Sequence, residues 1–458
     1  MNNYDAAIIG TGQGGMPLSG ALAGAGWKTA IIENHFVGGC CINYGCTPTK
    51  TMWNSARVAY LARRAADYGV DVRDVSVDVH AVRMRKQRIV DRFRSSDERR
   101  LSHTENEDLI FGFARFIGTH SLEVRLRDGG VEQIEAKHVF INTGDLPSVP
   151  PIHGLDGVQF LDSTSIMELD EAPEHLLVLG GSYIGLEFGQ MFRRFGSQVT
   201  VIEAGPALVS HEDRDMSDAV ASVMRDEGLE VIVDAKAKRV SGIGGVELVI
   251  DSPVGERTLK GSHLLVAVGR VPNTEALNLD AAGVETDERG YVKVNARLET
   301  NVEGVYAIGD AKGGPAFTHI SYDDYRVLRD NLLHGGNHTI EGRPVPYTMF
   351  TDPQLGRIGL SETEARRRGL NIKVGRLPME HVARAIEMSE TRGFMKAVVD
   401  AGTDQILGFG VLGVEGGELM AMVEIAMLGG VTATRLREGI FAHPTLAESL
   451  NNLFSALE

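Results

Sequence analysis

The chain has 458 residues, 46 of them basic and 62 acidic, for a net charge of −16 at pH 7, and 43% are hydrophobic. At roughly 150 residues per domain this length predicts about three domains, with enough apolar residues to bury a core in each. The acidic balance argues against a dedicated nucleic-acid or anionic-membrane binder. No apolar run reaches the ~20 residues of a membrane span, and three cysteines are too few for a disulfide-stapled secreted scaffold. The opening MNNYDAAIIG has neither the basic nor the apolar region of a secretory signal, so a cytoplasmic location is expected. Glycine is in excess, at 54 residues or roughly 12% against a usual ~7%.

The first glycine cluster follows a short apolar run. Ala6-Ala7-Ile8-Ile9 leads into Gly10-Thr11-Gly12-Gln13-Gly14-Gly15, and a small-residue helix pattern precedes a second apolar run ending in Glu33. Gly10, Gly12 and Gly15 match the dinucleotide fingerprint GxGxxG, in which the glycines allow a tight turn, a close approach to pyrophosphate and tight helix–strand packing. Phosphate would sit at the helix N-terminus. Glu33, 23 residues after Gly10, is placed to accept hydrogen bonds from a ribose. A merely flexible loop would not explain the order strand, loop, helix, strand and acid.

All three cysteines fall within seven residues, Val37-Gly38-Gly39-Cys40-Cys41-Ile42-Asn43-Tyr44-Gly45-Cys46-Thr47-Pro48-Thr49-Lys50. A zinc site lacks a fourth ligand and the usual spacing, and unrelated core cysteines seldom cluster, so a redox pair is the better account. Spacing alone selects the pair poorly. On a regular helix residues five apart have Cα atoms about 8–9 Å from each other, whereas a disulfide wants roughly 4.4–6.8 Å. A Cys41–Cys46 bridge needs a distorted turn, which Gly45 and Pro48 ease; a vicinal Cys40–Cys41 bridge needs a strained ring. Further on, Arg83 to Arg100 holds eight basic residues against three acids and reads as a solvated helix face rather than a nucleic-acid patch.

Pro147, Pro150 and Pro151 mark a boundary, after which the first grammar recurs. Leu176-Leu177-Val178-Leu179 leads into Gly180-Gly181-Ser182-Tyr183-Ile184-Gly185-Leu186-Glu187, and the unit closes at Glu203, again 23 residues after its first glycine. Ser182 replaces the middle glycine. An acid at 203 with no arginine in Ala204–Ala207 favours NADH over NADPH. Two dinucleotide sites in one chain already point to an oxidoreductase, a flavin and a nicotinamide being the usual pair. A Gly/Pro-rich link from Gly335 to Pro346 opens a last region, where 393–399 and 406–411 read as antiparallel strands and Glu418 to Met427 as a helix.

The cysteine segment resembles the GGTCxNxGCxPSK motif of the class I pyridine nucleotide–disulfide oxidoreductases, which include dihydrolipoyl dehydrogenase, glutathione reductase and mercuric reductase. The resemblance runs along nearly the whole chain. Ile141-Asn142-Thr143-Gly144 is similar to the family's ATG segment, Val268-Gly269-Arg270-Val271-Pro272-Asn273 to its GRxPN segment, Val305 to Asp310 to its second FAD motif, and His443-Pro444-Thr445-Leu446-Ala447-Glu448 to its C-terminal HPTxxE. Cys40 stands where the family usually has threonine.

The resemblance implies two Rossmann-like α/β domains, for FAD and NAD, and a C-terminal α+β dimerisation domain. Their expected spans are 1–149 with 270–338, 150–269 and 339–458. It further implies Cys46 as the thiolate against the flavin and Cys41 as the interchange thiol. His443 would be the acid/base, oriented by Glu448 and supplied by the partner of a homodimer, and Lys50 and Glu187 an ion pair beside the flavin. FAD would be held by Gly10, Gly12, Gly15, Glu33, Gly39, Lys50, Thr143, Gly144 and Asp310. NAD would be held by Gly180, Tyr183, Gly185, Glu187, Glu203 and Gly269, with His319 near the flavin.

The stretches from Thr318 to Arg326 and from Glu448 to Ser455 look closest to the mercuric-reductase-like branch that includes the reactive-chlorine-resistance flavoproteins. The vicinal cysteine pair in the tail of mercuric reductases has no counterpart in Asn451–Glu458. That absence sets the chain apart from mercuric reductase itself, and the resemblance to the branch implies a metal ion of the Cu(II) or Hg(II) type, or a small oxidant, as acceptor, with Cys40 and Cys41 in contact with it, because thiolates suit soft metals. No resident metal is expected. The alternatives are dihydrolipoyl dehydrogenase or a low-molecular-weight disulfide reductase, and a redox-sensing flavoprotein.

Overall fold

The computed structural model describes residues 2–242 and 244–458. The chain divides into two compact units, one made of the chain up to Met52 with Ala81–Ser148 and Gly269–Arg343, the other of Trp53–His80, Val149–Val268 and Pro344–Glu458. Where the sequence predicts three domains, the NAD and C-terminal spans thus fall in one unit.

The first unit is built on a parallel sheet. Strand Asn2–Ile9 lies between Thr29–Glu33 and Val131–Ile141, with the first half of Glu107–Phe116 outside the former and Val305–Ala307 outside the latter. Its central strands are covered on both faces, which is why Ala6–Ile9 and Thr29–Ile32 are continuously apolar rather than alternating. The second half of Glu107–Phe116, Ser121–Leu126 and the start of Val131–Ile141 form an antiparallel meander. Helix Gly15–Gly24 connects the first two strands, completing the expected strand–loop–helix–strand unit.

In the second unit a four-stranded parallel sheet has the order His263–Val266, His175–Leu179, Gln198–Ile202, Glu230–Ile232. A five-stranded antiparallel sheet carries the C-terminal region, with Phe394–Asp400 against Ile406–Gly413 and helix Gly416–Leu428 on it. The fold class is the one read from the sequence, α/β with a C-terminal α+β part.

Residues three and seven apart on helix Tyr183–Phe195 bind one segment of the C-terminal part. Glu187 Oε1 accepts the Phe350 N–H at 2.8 Å, Gln190 exchanges two 2.8 Å bonds with the Asp352 backbone, and Arg194 donates to Asp352 Oδ2 at 2.8 Å. Arg57 donates to the other Asp352 oxygen at 2.6 Å, and Arg194 also pairs with Glu227 at 2.7 Å. Burial alone would raise the Asp352 carboxyl, but Arg194 and Arg57 hold it below the usual carboxylate range. Its contribution to stability is therefore present above the unfolded carboxyl pKa of ~3.9 and is lost as pH falls through the lower folded value. Asp352→Ala strands buried guanidinium groups and is expected to cost about 3–5 kcal/mol in urea unfolding at pH 7. A loss below about 1 kcal/mol would show that the network is structurally idle.

Candidate active site

Both glycine loops use the same backbone geometry. Gly10 and Gly180 have φ of +105° and +109°, the left-handed region that favours glycine. A Cβ on either would lie 2.4 Å from the Asn142 carbonyl oxygen or 2.3 Å from that of Ala267, each at or just past the C-terminal end of the neighbouring parallel strand. Gly15 and Gly185 begin or sit in the first turn of their helices, where a Cβ would meet the Gly10 or Gly180 carbonyl at 2.4 and 2.0 Å. The acids at the ends of the second strands bind the loops. Glu33 accepts from the Thr11 hydroxyl at 2.6 Å and the His35 N–H at 2.8 Å, and Glu203 accepts from the N–H groups of Gly181 and Gly205, both at 2.7 Å. Ser182 precedes helix Tyr183–Phe195 in extended conformation without a side-chain capping bond. Tyr183, the first residue of that helix, has its phenol raised by desolvation and then by Glu187. Gly269 lies at φ +136°.

The cysteine segment sits on the first loop. Gly39 is close enough to Gly12 that a Cβ would stand 2.7 Å from its Cα, and the Gly38 N–H donates to Thr11 Oγ1 at 3.0 Å. Cys40 and Cys41 belong to the short helix Gly39–Asn43; the chain leaves it at Tyr44 (φ −137°), and Cys46 opens the 18-residue helix Cys46–Arg63. That break lets the two thiols five residues apart approach, as a regular helix would not. Among the described residues no disulfide joins the three cysteines. Cys41 is raised by its hydrogen bond to Cys46 and by desolvation, while a hydrogen bond with Thr318 lowers it. The Thr318 hydroxyl is also 3.3 Å from Cys46 Sγ. Pro48 falls in the first helical turn, where a missing N–H leaves no bond unmade, and Lys50 follows one turn after Cys46.

The family model described as pyridine nucleotide-disulphide oxidoreductase matches residues 4–324, and that of its dimerisation domain matches 345–454. The chain belongs to the pyridine nucleotide–disulphide oxidoreductases. It is 40% identical to the probable pyridine nucleotide-disulfide oxidoreductase RclA of Escherichia coli over 100% of both chains. It is 34% identical to a mercuric reductase of Lysinibacillus sphaericus over 98% of this chain and 82% of that one, and 36% identical to a dihydrolipoyl dehydrogenase of Thermus scotoductus over 100% and 98%. The solved Cu(II) complex of the HOCl-induced flavoprotein disulfide reductase RclA from E. coli superposes with a TM-score of 0.91, covering 99% of each chain. This oxidoreductase is accordingly an FAD-dependent flavoprotein disulfide reductase with a pyridine nucleotide co-substrate.

The residues of the first unit fit FAD. The loop at Gly10–Gly15 is a cradle that side chains would fill, and Thr143 Oγ1 is buried without a hydrogen-bond partner among the described residues. Asp310 is a desolvated carboxyl raised to about 7, by burial first and then by Asp145, against the opposing Arg270 and Lys312. Sequence reasoning missed Asp145, whose side chain is 3% exposed and pairs with Arg270 Nε at 2.7 Å. Arg270 also reaches Cys40 Sγ at 3.9 Å. Only its motif position could have flagged Asp145, directly after Thr143-Gly144. Thr11 and Thr318 carried no signal of their own.

In the second unit His443 and Glu448 come together, Nδ1 lying 2.8 Å from Oε2. The histidine is exposed at the surface of the chain. Lys50 belongs to the first unit and Glu187 to the second.

Cys40 has accessible surface, yet protein atoms crowd its sulfur, and that desolvation pushes the thiol up to about 11 against the opposing Arg270. Near neutral pH this cysteine therefore stays overwhelmingly in the thiol form. Cys46, at a helix start where free N–H groups favour an anion, is expected to react with iodoacetamide at least tenfold faster than Cys40 in the reduced enzyme. Peptide mass spectrometry checks this; equal labelling would contradict it.

Proposed function

We propose that this oxidoreductase uses NADH to reduce a soft metal ion of the Cu(II) or Hg(II) type, or a small oxidant, through Cys41 and Cys46. The observation that carries this reading is the cluster of three cysteines within seven residues, with Cys41 in hydrogen-bond contact with Cys46 at the start of helix Cys46–Arg63. The Cu(II) complex of the similar E. coli protein supports the metal class. When bound, FAD would supply the two-electron carrier between the nicotinamide and the Cys41–Cys46 pair. Gly10, Gly12, Gly15, Glu33, Gly39, Lys50, Thr143, Gly144 and Asp310 would hold it, and Gly180, Tyr183, Gly185, Glu187, Glu203 and Gly269 the nicotinamide dinucleotide. The reduced thiol–thiolate pair then gives two electrons to two Cu(II) or one Hg(II), re-forming the S–S bond and releasing one proton.

In this reading Cys41 meets the acceptor, Cys46 carries the thiolate, and Cys40 adds a soft contact. His443, held at Nδ1 by Glu448, leaves its Nε2 to move a thiol proton. The histidine would act in the partner's site of a homodimer. The dimerisation-domain match supports this, as do Ile425 and Leu428, each 70% exposed on helix Gly416–Leu428. The domain spans 1–149 with 270–338, 150–269 and 339–458 go with these roles.

Anaerobic NADH oxidation with Cu(II), Hg(II), lipoamide and glutathione disulfide in parallel tests the acceptor. The metals are expected to give the larger kcat/KM. Turnover with lipoamide alone would make this a dihydrolipoyl dehydrogenase, a reading the Thermus relative keeps in view. No turnover above the acceptor-free rate would leave a thiol sensor. Because Glu203 would repel a 2′-phosphate, kcat/KM for NADH should exceed that for NADPH at least tenfold, and the reverse order would remove its role. Cys46→Ser should abolish the long-wavelength absorbance that a thiolate stacked on flavin produces on two-electron reduction.

A further inference from the structure

Two electrons and one proton convert the disulfide into one thiol and one thiolate, and nothing in the chemistry of two cysteines decides which sulfur keeps the proton. The surroundings decide. Thr318 opens the 16-residue helix Thr318–Leu333, after Phe317 in extended conformation, and its hydroxyl lies 3.3 Å from Cys46 Sγ and in hydrogen-bond contact with Cys41. A β-branched residue has few rotamers, and here one hydroxyl proton faces two competing sulfurs.

We propose that Thr318 is a positioning residue that places the thiolate of the reduced pair on Cys46 and leaves the proton on Cys41. The inference rests on the roles given above to the two cysteines. With the charge on Cys46, that sulfur accepts from the Cys41 thiol, from the Thr318 hydroxyl and from the field of its own helix start. With the charge on Cys41, the Thr318 hydroxyl still donates and lowers that thiol, but the helix contribution is lost, because Cys41 lies in the middle of the five-residue helix Gly39–Asn43. Hydrogen bonds to an ion are the strong ones, so the hydroxyl adds most where the helix already favours the anion. The titratable and charged groups around the pair are Cys40, with Arg270, Asp145 and Asp310 beyond it, Lys50 on the Cys46 helix and His319 next to Thr318. All are retained in the variants below.

The test uses the FAD-loaded enzyme reduced anaerobically with one equivalent of NADH, and follows the long-wavelength absorbance with pH. Thr318→Val removes the hydroxyl and keeps the shape. It should raise the midpoint of that absorbance by about one pH unit, a tenfold loss of thiolate at a given pH, while Thr318→Ser should stay within about 0.3 unit of the parent. Iodoacetamide labelling below the midpoint should lower the Cys46-to-Cys41 ratio about tenfold in the valine variant only. The flavin-to-protein absorbance ratio identifies the variants that hold FAD. A valine variant with full FAD and an unmoved midpoint overturns the inference, as does a serine variant that shifts as far as valine. If the absorbance survives Cys46→Ser, the underlying assignment of the cysteines fails first. If it is lost there but Thr318→Val has no effect, only the role of Thr318 fails.

Discussion

The redox segment is fixed by backbone touching backbone. Gly39 lies so near Gly12 that a single methyl group would not fit between them, and the Thr11 hydroxyl accepts the Gly38 N–H while donating to Glu33. One short chain of bonds therefore ties the end of the second strand, the nucleotide loop and the start of the cysteine helix into one piece. A neutral hydroxyl relaying between a buried carboxylate and an N–H is a strong arrangement in a low-dielectric setting. It leaves the cysteines little freedom to drift relative to the dinucleotide cradle.

In the second unit ionic bonds take the place of that close contact. Helix Tyr183–Phe195 starts at the second dinucleotide loop and carries Glu187, Gln190 and Arg194 on one face, and all three hold the segment Phe350–Asp352. The Arg194 guanidinium also lies 4.0 Å above the Tyr60 ring. Buried charges need partners to be tolerated at all, so this network specifies one arrangement. It accounts for the NAD span and the C-terminal part forming one compact unit where glycine and proline links alone predict a division.

Much of the site was legible because its parts are local. The strand–loop–helix–strand units at Gly10 and Gly180, their acids at Glu33 and Glu203, the three cysteines and the His443–Glu448 pair each lie within a few tens of residues, and each uses residue types with few other reasons to occur together. What escaped reading is long-range. Thr318 meets Cys46 across 272 positions, and Arg270 meets Asp145 across 125. Neither threonine nor aspartate is unusual in composition, and only the folded chain shows that one touches Cys46 and the other a buried carboxyl. Both acids also tie down their own loops, Glu33 through the N–H groups of Thr11 and His35 and Glu203 through those of Gly181 and Gly205.

The glycines at the two loops have a thermodynamic side. Each gives the unfolded chain more conformational freedom than any other residue, at a folding cost of roughly 0.5–1 kcal/mol relative to alanine, and steric contact forbids replacing those at 10, 15, 180 and 185. The chain thus concentrates entropic weakness at its two glycine loops. A ligand that binds only the folded form restores stability in proportion to the logarithm of its concentration over its Kd. Nucleotide supply thereby becomes a determinant of how long the folded protein persists, as well as of how fast it turns over.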